Sequence, residues 1–266
     1  MRDVIRIGVA GALGRMGAAI EALARERSDM VLAARWDRPG AIDEAQVAPP
    51  LASPKDALAV CDVILDFSTA EAGAGLAALA AARGGPALVI GATGFDVAQD
   101  AAVAAAAARV AIVKSGNFSM GVNLLAALVE AAARRLDEAD WDVEILEVHH
   151  RRKRDAPSGT ALMLGEAAAR GRGGVLAPLA LPPRFGVGEP RPTGGIGFAA
   201  VRGGGVVGEH SVLFAAEDET ITLSHSAKDR RLFARGALEA AAWVNRAKPG
   251  LYDMRDVIGT RLEGVL

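Results

Sequence analysis

The chain has 266 residues, 51% of them hydrophobic and 23% charged, with a formal net charge of -2. That length and apolar content allow one large or two ordinary domains with real cores, and they exclude a disordered or fibrous chain. The near-neutral balance gives no general electrostatic reason to bind nucleic acid or a membrane, so any anion site has to be local.

Residues 1–3 begin no signal-peptide pattern and no apolar run approaches a membrane span, so a soluble, cytoplasmic protein is expected. Residues 5–10 form a short apolar strand that runs into Gly11-Ala12-Leu13-Gly14-Arg15-Met16-Gly17 and then an amphipathic helix through Ile20 and Leu23. The spacing G-x-x-G-x-x-G is a variant of the dinucleotide-binding turn. Gly11 allows the tight turn, Gly14 lets backbone approach a pyrophosphate, and Gly17 lets helix and strand pack closely. A second strand, 31–34, leads to Asp37 and Arg38. Asp37 is placed to meet a ribose, or is a turn residue before Pro39-Gly40; Arg38, with Arg15, suits a 2′-phosphate. NADH and NADPH both stay open.

Ser53 followed by Asp56 has the arrangement of a helix N-cap. Cys61, the sole cysteine, excludes an internal disulfide and reads as a small buried hydrophobe before the strand 63–67. A helix through Leu76 and Leu79, a strand at 87–90, an alanine-rich helix at 97–108 and a strand at 111–113 follow. Five strands alternating with helices predict a doubly wound parallel sheet. Ligands bind beyond the carboxyl ends of such strands. Here those ends carry Asp66-Phe67-Ser68-Thr69, Gly91-Ala92-Thr93-Gly94-Phe95 and Ser115-Gly116-Asn117-Phe118-Ser119.

A helix at about 120–136 leads to 141–148, where Val143 and Ile145 alternate with Asp142 and Glu144, the period of a half-buried strand. His149 and His150 should close it and point to opposite faces. Then come Arg151-Arg152-Lys153-Arg154, a turn at 155–158, and a helix capped by Ser158. Strand end, cations and helix N-terminus converge on one anion site, unless the basic run is a solvated loop or a nucleic-acid patch. Residues 170–192, rich in Gly, Pro and Arg, read as a mobile loop. Segments 196–201, 206–214 and 220–226 read as an antiparallel meander; helices at 233–244 and 252–258 close the chain. No ligand spacing supports a metal.

With these segments assembled, the chain resembles the 4-hydroxy-tetrahydrodipicolinate (dihydrodipicolinate) reductase family. The likeness covers nearly the whole length and is carried by the glycine turn, Asp66-Phe67-Ser68, Gly91-Ala92-Thr93-Gly94-Phe95, Asn117-Phe118-Ser119-Met120-Gly121 and, most specifically, the segment from Glu147 to Thr160. It implies a Rossmann-like domain over residues 1–118 and 234–266 and an α+β domain with a mixed or antiparallel sheet over 119–233, which binds a small dicarboxylate and builds a homotetramer. It implies His149 and Lys153 as catalytic residues and His150, Gly159 and Thr160 as substrate contacts. Gly11, Ala12, Leu13, Gly14, Arg15, Met16, Asp37, Arg38, Gly91, Ala92, Thr93, Ser115, Gly116, Asn117 and Phe118 become contacts for NADPH or NADH. No nucleic-acid or membrane partner follows from it.

Overall fold

The structure is a computed structural model describing residues 4–43 and 48–259. The chain start, part of the 39–53 connection and residues 260–266 lie outside the described residues. Two compact units divide the chain: the residues up to Met120 with Arg231–Ile258, and Gly121–Arg230.

The first unit alternates β1 (Ile5–Ala10), α1 (Arg15–Arg25), β2 (Met30–Trp36), α2 (Pro54–Val60), β3 (Val63–Asp66), α3 (Ala70–Arg83), β4 (Ala87–Ile90), α4 (Val97–Ala107) and β5 (Ala111–Lys114). The strands form a six-stranded parallel sheet in the order β10-β5-β4-β3-β1-β2, where β10 is Gly250–Tyr252. Because both faces are covered, the strands are continuous apolar runs, and neighbours in sequence enter different cores. Val63 and Leu65 pack with α1 and α8 (Arg231–Val244), whereas Ile64 packs with α2, α3 and α4. Local chemistry starts the helices: Ser53 Oγ accepts from Asp56 N, Thr69 Oγ1 from Ala72 N, and Asp96 with Gln99 closes a capping box. The strand order reverses at β1, whose last residue, Ala10, lies beside Asp66 of β3. This switch point is where such sheets bind ligands.

The sixth strand corrects the expected helix at 252–258. Tyr252 ends β10, and α9 (Met254–Val257) begins after the cap Asp253. Three residues are too few to show a two-residue period, so nothing local announced a strand.

The second unit comprises α5 (Met120–Arg135), β6 (Asp142–His149), α6 (Gly159–Gly171), α7 (Leu176–Leu179), β7 (Ile196–Arg202), β8 (Gly208–Ala215) and β9 (Thr220–Ala227). Its sheet has the order β7-β6-β8-β9, with β6 parallel to β7 and antiparallel to β8. The expected meander is therefore corrected: β8 and β9 form a hairpin, but β6 stands between β7 and β8. Alternation shows which face of a strand is apolar and is silent about which edge it pairs, so β7 and β8 looked adjacent because they are consecutive. Val143, Ile145, Ile196, Val212 and Phe214 pack this sheet on α5 and α6.

Residues 170–192 carry little regular structure, as expected of a loop. They hold α7, and arginines fasten them: Arg172 donates to the carbonyls of Trp141 (2.6 Å) and Gly194 (2.9 Å), and Arg191 donates to Asp142 Oδ1 (2.6 Å) and Glu144 Oε1 (2.9 Å). Arg184 reaches the same Glu144 oxygen (2.5 Å). A guanidinium carries five donors, so segments without apolar period can still be anchored.

Candidate active site

The first unit makes its ligand cradle from main chain. Gly11 has φ +73°, and a Cβ there would lie 2.7 Å from Phe67 O; one at Gly17 would lie 2.3 Å from Gly11 O. Gly14 N donates to Gly11 O at 3.0 Å, closing the turn. Asp37 stands directly after β2 and ties strand to turn: Oδ2 accepts from Leu13 N (2.9 Å) and Oδ1 from Arg38 N (2.8 Å). Arg15 and Arg38 are exposed, while Ala12 is buried and Met16 packs on the core, so these two offer a ligand backbone rather than side chains.

At the next strand ends, Gly91 leaves room for the Phe67 ring, since a Cβ there would lie 2.1 Å from Phe67 Cε1. Phe67 meets Phe118 at 5.4 Å between ring centroids. Phe118 is buried in the core, and a Cβ on Gly236 of α8 would lie 1.7 Å from its carbonyl oxygen. Ser115 Oγ accepts from Asn117 N (3.2 Å) and Asn117 Oδ1 from Ser119 N (2.8 Å), which shapes the third loop; Thr93 and Gly116 are exposed and Ala92 is buried. Asp66 is fully buried and bonded through Oδ1 to Ser68, and burial pushes its pKa above the usual carboxylate range. These turns fit a dinucleotide: the positions where a side chain would fill the cradle are glycines, and a carboxylate follows β2.

The second unit works through side chains. On β6 the inward residues are Val143, Ile145, Glu147 and His149, so a carboxylate and an imidazole end an otherwise apolar row. Glu147 Oε2 lies 2.5 Å from His149 Nδ1 and accepts from Arg202 Nη1 at 2.7 Å; Oε1 accepts from Arg202 Nη2 at 2.6 Å and from Ser158 N at 3.1 Å. Burial would push the Glu147 pKa up, but Arg202 and His149 together hold it below the usual range. Ser158 caps α6 through Ala161 N (3.2 Å) and meets His210 Nε2 at 3.0 Å. His210 sits edge-on to His149, ring centroids 5.0 Å apart. Burial first, and the neighbouring His149 second, lower the His210 pKa to about 4.

Beyond His149 the chain turns through the cations. Lys153 Nζ pairs with Asp155 Oδ2 at 2.9 Å, and Arg202 Nη2 also donates to the Asp155 carbonyl at 2.7 Å. His150 Nε2 accepts from Arg230 at 3.0 Å, and its pKa is lowered by partial burial and then by surrounding cations, Arg152 foremost. Arg151, Arg152 and Arg154 are exposed, and Gly159 and Thr160 open α6, whose first N–H groups have no helical acceptor. One strand–turn–helix connection therefore carries His149, His150, Lys153, Gly159 and Thr160 together. Sequence reasoning gave no role to Glu147, Arg202, His210 or Arg230. The two-residue period could have found Glu147, a carboxylate in register with His149 on a face otherwise apolar.

A parallel sheet with a glycine turn at its switch point, joined to a unit that presents a buried, carboxylate-held histidine beside cations, defines a pyridine-nucleotide oxidoreductase. The patterns described as "Dihydrodipicolinate reductase, N-terminus" and "Dihydrodipicolinate reductase, C-terminus" match residues 5–118 and 121–258, and the chain belongs to this family. It is 56% identical over 259 residues to the 4-hydroxy-tetrahydrodipicolinate reductase of Caulobacter vibrioides, covering 97% of this chain and 99% of the relative. It is 48% identical to the Rhizobium rhizogenes protein of the same name, covering 97% of each. Among solved structures, the dipicolinate-bound dihydrodipicolinate reductase from Paenisporosarcina sp. TG-14 superposes with a TM-score of 0.78 at 25% identity, covering 99% of this chain and 100% of that one. Among the described residues no helix is long and apolar enough to cross a membrane, and no group of three or more His, Cys, Asp or Glu could hold a metal ion.

Proposed function

We propose that this chain reduces 4-hydroxy-tetrahydrodipicolinate to tetrahydrodipicolinate in the diaminopimelate route to lysine, with His149 supplying the proton. The observation that carries the role of His149 is its place: the imidazole ends β6, bonded on one side to a buried carboxylate and followed at once by the cationic turn and the α6 N-terminus. The reduced nicotinamide supplies hydride when bound, held by the turn from Gly11 to Met16, by Asp37 and Arg38, by Gly91 to Thr93 and by Ser115 to Phe118. The acceptor is a ring with two carboxylates and an imine-conjugated double bond, formed as the 4-hydroxyl leaves as water with a ring proton. Lys153, with the N–H groups at Gly159 and Thr160, binds the carboxylates, because charge-assisted donors and a helix N-terminus suit a dianion. His150 contacts the substrate beside them. His149 then protonates the electron density left by hydride addition.

The pairing of Asp37 with Arg38 supports use of both NADH and NADPH: the carboxylate suits a free ribose and the exposed guanidinium a 2′-phosphate. A homotetramer in the cytoplasm completes the reading. Leu146 and Val201 lie exposed on the outer face of the second sheet, an apolar surface suited to another subunit.

The test is a coupled assay in which pyruvate and aspartate semialdehyde are condensed in situ and nicotinamide oxidation is followed. Rapid substrate-dependent oxidation is expected, and His149→Ala should lower kcat by about 10²- to 10⁴-fold with cofactor affinity unchanged. Full turnover in that variant would remove His149 from the chemistry.

A further inference from the structure

The donors around Glu147 can be counted. A carboxylate has about four acceptor positions. Three of those on Glu147 are taken by donors that cannot reverse, the two Arg202 nitrogens and the Ser158 main-chain N–H, and the fourth faces His149 Nδ1. No position is left for a proton on Glu147, so it is an acceptor throughout and His149 Nδ1 must carry hydrogen. Nε2 points the other way, toward Gly208, where a Cβ would stand 3.0 Å from it. Gly203 N also donates to the His149 carbonyl (2.9 Å), which fixes the backbone that bears the ring.

We infer that Glu147 and Arg202 are positioning residues that lock His149 in one tautomer, Nδ1–H, and leave Nε2 as the nitrogen that gives and regains the catalytic proton. Arg202 does this from the end of β7, the strand paired with β6, and its second bond to the Asp155 carbonyl holds the same turn that carries Lys153. One guanidinium thus aligns both residues of the proposed chemistry. A lysine at 202 would supply charge without the fork that spans both carboxylate oxygens. A glutamine at 147 would present an amide N–H to Arg202 or to His149, and toward His149 it would favour the opposite tautomer.

The inference rests on the proposal that His149 is the proton donor, and the experiment keeps the two apart. Histidine-labelled protein is examined by imidazole nitrogen NMR at a pH where the ring is neutral, with the His149 signals assigned by their loss in His149→Gln. The wild type should show the Nδ1–H form, and Glu147→Gln should move it toward Nε2–H or a mixture. In parallel, Glu147→Gln and Arg202→Lys should lower kcat by about 10²-fold, as loss of a group behind a catalytic histidine does, with KM changed less than about threefold. Arg202→Lys, which keeps charge and bulk, covers the case in which Glu147→Gln does not fold. A wild-type Nε2–H tautomer overturns the inference whatever the kinetics. So does near-normal kcat in both variants while His149→Ala is inactive. If His149→Ala is active and the tautomer is as expected, the lock stands and the proton-donor role falls.

Discussion

The glycine turn after β1 and the histidine turn after β6 are both strand-to-helix connections, yet they are constructed in opposite ways. The first works by leaving side chains out: at Gly11 and Gly17 a single Cβ would collide with backbone, as one at Gly91, after β4, would with the Phe67 ring. The second works by bringing side chains in, with Glu147, His149, Ser158, Arg202 and His210 contributed by three strands and a helix cap. A surface made of backbone recognises what all dinucleotides share. In the proposed function, the one made of paired charges recognises a particular acid and moves a proton.

The sharpest way to break this contrast is to add volume to the first region. Gly17→Val should abolish nucleotide binding in a titration and cost about 3 kcal/mol of stability or more in urea, because the obstacle is backbone that cannot swing aside. Gly75→Ala in α3, where a Cβ meets nothing within 4 Å, should leave nucleotide binding unchanged and cost no stability. In the second region charge matters rather than volume. Lys153→Ala should lower kcat/KM by about 10- to 100-fold, the worth of a charge-assisted bond to a carboxylate, with nucleotide affinity intact. A kinetically silent Lys153→Ala would move the dianion site elsewhere.

A subtler effect comes from acid. His210 is held neutral in the fold with a pKa of about 4, against 6.5 for a free imidazole. Below about pH 6.5 the unfolded chain gains a proton at this residue that the folded chain refuses. This contribution to stability is therefore complete above pH 6.5, declines as the pH falls, and levels off near pH 4 at a loss of roughly 3 kcal/mol. Urea midpoints across that range should fall less steeply in His210→Gln; equal slopes would mean that His210 protonates in place. The smallest change is expected at Asp37→Asn, a few-fold loss for NADH that tilts preference toward NADPH, since one carboxylate contact with a ribose is worth about 1 kcal/mol.

The two regions were also unequally legible. Glycine spacing announced the turn at Gly11, and the strand-end loops followed from alternation of strands and helices. The cationic turn and Ser158 were readable because strand period and cap chemistry are local. Arg202 and His210 were not, because their roles depend on β7 and β8 both pairing with β6, an arrangement that period alone does not encode. The strand at Gly250–Tyr252 escaped for a related reason: it is a strand by virtue of its neighbour β5, not of its own three residues.

Glu144 receives both Arg184 and Arg191, so the stretch between those arginines is closed at its base by one carboxylate, with Phe185 and Val187 fully exposed at its tip. Such a closed tip bears none of the fastening itself. A protease that cuts after Phe185 should nick the chain without parting it, and the two fragments should elute together with activity retained. The same geometry makes this tip a tolerant place to insert a tag or to change loop length, because the contacts that hold the segment lie outside it.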